Sequence, residues 1–502
     1  METPVNWFGI PHLVSWIVLT PLVGMLVVAC LRQAEIIRWV TIGVTMLMLG
    51  LTLALWASFD YAAGGMQFVD RVPLPGGFFQ YAVGVDGISL PLVSLTAFLV
   101  PLCVLVSWQV DKTKPFMLLI LLVELAVTGV FTAMDAFLFL LFWEAAMIPM
   151  YFVIAFWGGP NRVHAAIKFL LFSVGGSLLL SFGIEALHHF GHTFDMQALT
   201  QMKNAPEVQL LIFLPLFLGL AIKVPMLLVH GWIADAHGEA PTAGSVILSG
   251  LLLKMGTYGL LRFCLPMLPE ASASFAPLVM WLSVLAILYG GAMALAQPDF
   301  KRLIAYSSIA HMGFVTLGIF GLNTQSVQGA VLQMVNHGIT TGALFLVAGM
   351  LYDRTHDRMI NNYGGLHQVM PRFAVVLSIF TVASFGVPGT GNFIGEYLLM
   401  VGTMSHSYLL VLLVQVGIVL GAAYMLGMFQ RVVLGPVSPQ SAILHDLNRR
   451  EMACVIPLAL AVFVIGLYPA VMLDPMQASV TTLVQSFAQV QPIRVGTLFT
   501  AP

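Results

Sequence analysis

The sequence predicts an all-α polytopic membrane protein with about fourteen transmembrane helices and two inverted five-helix repeats. Three observations predict it. Hydrophobic residues make up 59% of the chain and charged residues only 8%, with a mean hydropathy of +0.95, whereas soluble domains carry ~25% charge. Apolar runs of about 20 residues, enough to cross a ~30 Å hydrocarbon core, recur from end to end. Two of these runs exceed one straight helix, and a proline interrupts each of them.

The predicted spans lie at roughly 10–31, 38–59, 88–108, 114–131, 135–156, 165–189, 208–235, 241–265, 275–296, 302–321, 326–352, 372–404, 407–433 and 453–474. Residues 1–110 form an N-terminal three-helix segment, 111–265 and 275–434 the two repeats, and 435–502 a closing helix and tail. Lys and Arg then set the orientation, since basic loops stay on the inner side. One set of alternate loops holds Arg32, Arg38, Lys112, Lys114, Arg162, Lys168, Lys301, Arg302, Arg354, Arg358, Arg372, Arg431, Arg449 and Arg450; the other holds Arg71, Lys203, Arg262 and Arg494. Both termini therefore fall on the outer side, which is the periplasmic side in a bacterial plasma membrane, the expected location; an organellar inner membrane is the alternative. Of the 20 basic residues, only Lys223 and Lys254 remain within the membrane.

The seventh span carries Lys223-Val224-Pro225 and the twelfth carries Gly386-Val387-Pro388. Proline removes a backbone donor, so a helix breaks there. Paired breaks in corresponding places point to inverted repeats, spans four to eight and nine to thirteen. Repeats of five spans insert with opposite topology.

An ionisable group inside a membrane span marks a functional site with a partner to be found. Glu144 lies about nine residues, or ~14 Å, into the fifth span. Pairing it with Lys223 keeps both charged; the plain alternative is a static ion pair. Opposite charges ~4 Å apart attract by about 4 kcal/mol at an effective dielectric of 20, while moving one charge against 100 mV costs ~2.3 kcal/mol. Opening and closing such a pair is thus a switch of the right size. Lys254 lies deep in the eighth span, with snorkelling toward an interface as the plain alternative. His311 lies in the tenth and His337 in the eleventh, with hydrogen-bonded core histidines as the plain alternative. Histidine passes protons near neutral pH. Glu396, eight residues after Pro388, ends a row running Lys223, Lys254, His311, His337, Glu396. Glu124 is a further buried carboxylate, serving either an access channel or packing. His230 and His237 flank a polar island, Asp235 to Thr242, and read as organisers of water rather than metal ligands, since no Cys or acidic set surrounds them at metal spacing.

Other chemistries are excluded. Four scattered cysteines without a CxxC offer neither a zinc site nor an iron–sulfur cradle. No P-loop or dinucleotide fingerprint is present. A net charge of -2 argues against a nucleic-acid partner. No cofactor or metal site is expected in this chain, and a proton path without its own engine implies partner subunits.

The stretches FLFLLFWEAAMIPMYFVIAFWG, KVPMLLVHGWIADAHGEAPTAGSVILSGLLLKMGTYGLLR, QPDFKRLIAYSSIAHMGF and GVPGTGNFIGEY resemble the antiporter-like subunits of respiratory complex I, the proton-pumping NADH:quinone oxidoreductase. The resemblance covers almost the whole chain. It implies Glu144 and Lys223 as the family's Glu–Lys pair, Lys254 as its central lysine, His311 and His337 as bridging histidines, and Glu396 as the terminal residue. Glutamate at 396 is similar to the M-type branch, where N-type and L-type members and Mrp antiporter subunits carry lysine. The chain also ends soon after the fourteenth span, without the lateral helix of the L-type. The resemblance implies L-type, N-type and small membrane subunits and lipids as partners, with FMN, iron–sulfur clusters and quinone held by partner subunits. A Mrp-type cation/proton antiporter subunit or a membrane-bound hydrogenase subunit is the alternative.

Overall fold

The computed structural model describes residues 10–73, 79–202, 204–487, 490 and 493. Helices α1 (Leu13–Cys30) and α2 (Ala34–Ser58) lead into an antiparallel hairpin, β1 (Gln67–Pro73) with β2 (Gln80–Val85), and then α3 (Ser89–Val106). Next come α4 (Thr113–Thr132), α5 (Ala136–Trp157), α6 (Arg162–Gly191), the short α7 (Met196–Thr200), and α8 (Pro206–Lys223) with α9 (Ile233–Glu239). One span follows in pieces: α10 (Thr242–Ile247), α11 (Leu253–Gly259) and α12 (Leu265–Met267), joined by π turns at Leu248–Leu252 and Leu260–Cys264. The second half holds α13 (Pro269–Leu295), α14 (Phe300–Ile319), α15 (Thr324–Thr355), the short α16 (Leu366–Val369), α17 (Pro371–Ser384), α18 (Gly391–Met404) and α19 (Tyr408–Val433). The described chain closes with α20 (Arg449–Leu467) and α21 (Ala470–Gln485).

Among the described residues, twelve helical stretches are long and apolar enough to cross a membrane. Helix α14, whose sequence mixes serines, lysine, arginine and histidine into the apolar run, and the α17–α18 pair complete the expected fourteen. The hairpin and α21 lie outside the sequence expectation, because a template of 20 apolar residues does not register short strands or a 16-residue helix. Lys203 and Arg494, two of the basic residues used for orientation, lie outside the described residues.

The breaks are real. Helix α8 stops at Lys223 and α17 at Ser384. Beyond each, one N–H reaches back five residues, Met226 to the Ala221 carbonyl (3.0 Å) and Val387 to the Val382 carbonyl (3.3 Å). The chain then turns through a positive φ, at Leu228 (82°) and Gly389 (95°). The two breaks thus correspond at a constant offset in the chain, but the prolines do not: Pro225 and Pro388 fall two positions out of register. By backbone geometry Ser384 holds the place of Lys223, and Asp235 the place of Glu396.

A second correspondence supports the repeat. Ala136 N–H donates to the Phe194 carbonyl (2.8 Å) and Met196 N–H to the Met134 carbonyl (3.0 Å). In the second half Phe300 N–H donates to Arg358 (2.9 Å) and Ile360 N–H to Pro298 (2.8 Å). Asp135 caps α5 and Asp299 caps α14, while α6 ends on His192 and α15 on His356, both left-handed. A carboxylate at an N-cap satisfies the orphan N–H groups of the first turn.

The apolar stretches at the core of the span Thr242–Met267 and of helix α15 are fully buried among the other helices. Lipid tails give apolar helices no reason to associate, so close approach through small residues does that work. A Cβ at Gly338 would sit 3.0 Å from the Gly250 carbonyl oxygen, so only glycine lets α15 approach the π turn this closely. The contact lies one residue from His337 and one helical turn from Lys254.

The Asp86 carboxylate joins the hairpin end to the Leu260–Cys264 turn. It pairs with Arg262 through both oxygens and accepts the Ile88 and Ser89 N–H groups at 3.0 and 2.9 Å, which starts α3. Burial alone would raise the Asp86 carboxyl; Arg262 beside it holds it below the ordinary carboxylate value. The folded value lies below the unfolded one, so this contribution is present at neutral pH and fades as pH falls through the folded value. Asp86→Asn should leave the guanidinium buried and unpaired and cost roughly 3–5 kcal/mol. A lower thermal midpoint in detergent and less protein recovered from membranes would register it.

Candidate functional site

The centre of the molecule is a contact between two bases. The Lys254 side chain, fully buried, donates to the Ser249 carbonyl and meets His337 Nδ1 at 2.7 Å. The π turn before Lys254 matters here: it adds a residue to the turn, as such bulges do at functional sites, and aims the Ser249 carbonyl at the ammonium. A hydrogen bond joins these two nitrogen bases, and either nitrogen can donate it, depending on the protonation state and tautomer. His337 Nε2 has no hydrogen-bond partner.

His311 faces His337 across 5.4 Å between ring centroids. Its Nδ1 lies 2.8 Å from the Ser307 carbonyl and its Nε2 3.0 Å from the Ser384 carbonyl. Neutral imidazole donates through one nitrogen only; the imidazolium satisfies both. The Ser384 carbonyl is the one at the end of α17, so His311 touches the second break directly. Glu396 on α18, 4% exposed, accepts from Gln333 Nε2 at 3.3 Å. Tyr424 of α19 is buried, at 2% exposure, and the Ser307 hydroxyl donates to the Ile304 carbonyl at 2.7 Å.

Lys223 stands at the other break. It is 3% exposed, and its Nζ has no hydrogen-bond partner. It rests instead over two ring faces, 5.6 Å from Trp143 and 5.4 Å from Phe169, a cation–π setting. Trp143 is held by its Nε1 donating to Ser177 Oγ at 3.1 Å. Glu144, the next residue, is half-buried on a face it shares with exposed Leu141 and Ile148. Its charge acts on Lys223, yet no ion pair within 4.0 Å joins them among the described residues. The expected pair is therefore open in this conformation, because Glu144 faces outward while Lys223 is turned into the rings. Pro225 lines a narrow pocket with Ser283 and Thr316. Pro388 lies between the two positive-φ glycines of the second break, Gly386 and Gly389.

Glu124 is fully buried with neither oxygen hydrogen-bonded. His230 Nε2 lies 3.2 Å from the Tyr289 hydroxyl. His237 is fully buried with both ring nitrogens unpartnered. In the polar island Asp235 pairs with Lys168 (2.6 Å) and Arg302 (3.2 Å), and Glu239 with Arg358 (3.2 Å). Among the described residues no group of His, Cys, Asp and Glu could hold a metal ion.

Sequence reasoning missed Lys301, assigned to a surface loop but 3% exposed, with Nζ donating to the Ala240 carbonyl at 3.0 Å. Lys223 and Lys254 are thus not the only enclosed lysines. The adjacent Asp299 cap places Lys301 in the first turn of α14, under the rest of the fold. Trp143, Phe169, Gln333 and Tyr424 were also missed. An aromatic or amide in an apolar run carries no signal until its neighbours across the fold are known.

Residues 133–421 match the family model described as NADH:quinone oxidoreductase/Mrp antiporter, TM. The chain is 43% identical over 467 residues to NADH-quinone oxidoreductase subunit M of Rhodobacter capsulatus, covering 90% of this chain and 91% of that one. It is 41% identical over 478 residues to NADH-ubiquinone oxidoreductase chain 4 of Marchantia polymorpha, covering 94% and 97%. Among solved structures it resembles a chain of respiratory complex I from Thermus thermophilus with bound NADH, with TM-score 0.86, 31% identity and coverage of 94% and 99%. A chain of the Mrp complex from Dietzia sp. DQ12-45-1b shares the fold at TM-score 0.85 and 18% identity.

The clamp on the second break gives a test of the geometry. His311→Leu removes both carbonyl contacts, a loss of about 1–3 kcal/mol. Amide exchange at Phe385–Gly389 should then quicken several-fold or more, with exchange at Met226–Val229 unchanged.

Proposed function

This chain belongs to the NADH:quinone oxidoreductase/Mrp antiporter family as a complex I subunit M (chain 4) type member, and we propose that it carries protons through a Lys223–Lys254–His337–His311–Glu396 relay. It is a multi-pass subunit of a multi-subunit membrane complex. The observation that carries the proposal is the 2.7 Å contact of Lys254 with His337, both side chains fully buried. A proton held there is sealed from both faces and moves only along the row of side chains.

In this reading Lys223 is the switch. Its lack of hydrogen bonds leaves it free to leave the Trp143 and Phe169 rings and meet Glu144. Closing that pair to ~4 Å is worth about 4 kcal/mol, against ~2.3 kcal/mol for one charge through 100 mV. From Lys254 the proton crosses to His337 and on to His311. The Ser307 and Tyr424 hydroxyls lead from there to Glu396. His311 binds the Ser384 carbonyl most fully when protonated, which couples its charge to the second break.

The redox energy comes from outside this chain. NADH oxidation, flavin, iron–sulfur clusters and quinone reduction belong to partner subunits, with L-type and N-type neighbours alongside in the membrane. The half-exposed Glu144 face suits such a neighbour. In this reading the chain lies in a bacterial plasma membrane with both termini on the periplasmic side, and the excess of Lys and Arg in alternate loops supports that orientation.

Lys223→Ala and Glu144→Ala should leave the complex assembled but abolish proton translocation coupled through this subunit. Glu144→Asp should retain part of it, since only the reach of the carboxylate changes. Protons moved per electron in sealed vesicles is the measurement, and a normal ratio in assembled Lys223→Ala complex would remove Lys223 from the mechanism.

A further inference from the structure

A cavity of about 350 Å³ opens on the Lys/Arg-rich face, lined by Glu239, Lys301, Tyr352, Asp353, His356 and Arg358 among others. Its rim is exposed at Asp353 and His356, while Glu239 (4%) and Lys301 (3%) are buried at its inner end. Behind that end lies His237, fully buried, its ring stacked on Phe345 at 4.8 Å and 9°. Neither ring nitrogen has a hydrogen-bond partner. A phenylalanine would stack there equally well, and an unmade buried hydrogen bond costs ~1–3 kcal/mol. Packing alone gives no reason for an imidazole.

A polar seam continues inward. Ser245 Oγ donates to the His237 carbonyl (3.1 Å), Ser249 Oγ to the Ser245 carbonyl (3.0 Å), and Lys254 to the Ser249 carbonyl. On the facing helix, His337, Thr341 and Phe345 stand four residues apart on one face of α15. Thr341, 2% exposed, therefore sits between the His237 stack and His337.

We propose that His237 is the inlet of the relay, passing protons from this cavity along the Thr341 and Ser249 hydroxyls to the Lys254–His337 pair. The idea rests on the relay reading above. A proton from cavity water reaches one nitrogen of His237 by way of Glu239 or the Lys301 amine, and the other nitrogen releases one inward. His337 takes it on the unpartnered Nε2 and gives its Nδ1 proton to the Lys254 amine. Each imidazole gains one proton and loses one, and Lys254 ends as ammonium.

The test uses the assembled complex in sealed membrane vesicles, with lumen acidification followed per NADH oxidised and the solvent deuterium isotope effect taken on coupled turnover. His237→Phe keeps the stack on Phe345 and removes both nitrogens. It should slow acidification by at least about fivefold and raise the isotope effect, because proton uptake becomes limiting. Thr341→Val and Lys301→Gln, each close in size to the original, should shift both readings the same way to a smaller degree and carry the test if His237→Phe does not assemble. Unchanged acidification and isotope effect in these variants, with pumping lost in Lys223→Ala, would overturn the inlet and leave the relay standing. Normal pumping in Lys223→Ala as well would overturn both.

Discussion

One constraint governs the rest of the structure: a lysine side chain must sit where neither water nor a carboxylate reaches it. Lys254 meets this with a backbone carbonyl and a neutral base, the Ser249 oxygen and His337 Nδ1. A carboxylate partner would hold the proton by direct charge attraction. A neutral imidazole partner exerts no such attraction. The π turn that frees the Ser249 carbonyl and the glycine contact that draws α15 close both follow from this requirement. So does enclosure, since a surface position would let the proton leave for solvent.

The repeats supply two breaks and use them differently. At the first, the lysine at the end of α8 has no hydrogen bond and lies on aromatic faces, so little holds its side chain in one place. At the second, the same backbone position is Ser384, whose carbonyl is held by His311. One break thus carries a charge of its own, while the other is answered by a histidine from a neighbouring helix. The bridges Asp135 to Asp195 and Asp299 to Met359 anchor the two repeats alike.

Much of this was legible in the sequence because a charge in an apolar run has few innocent explanations. Lys223, Lys254, His311, His337 and Glu396 stood out on that ground, and the structure gathers Lys254, His337 and His311 into direct succession. The spans were legible from hydropathy alone, α14 included despite its polar content. Three things were not. The register of the two breaks is set by backbone hydrogen bonds and positive φ, so aligning the prolines misplaced it by two residues. Lys301 sits beside Arg302 at a span boundary, where a basic pair looks solvated; its burial is decided by the helices packed above it. The outward turn of Glu144 is a matter of helix rotation, and α5 is apolar on every side, so no periodicity announces which face is enclosed.

The most direct test of the account replaces Lys254 by arginine, which keeps a cation in the same place but does not give up its proton. The measurement is protons translocated per electron by the assembled complex in sealed vesicles. The account predicts an assembled complex whose ratio falls as far as it does when the relay is cut elsewhere. An unchanged ratio in Lys254→Arg would mean that Lys254 holds a charge but passes no proton, and the relay would have to run without its centre.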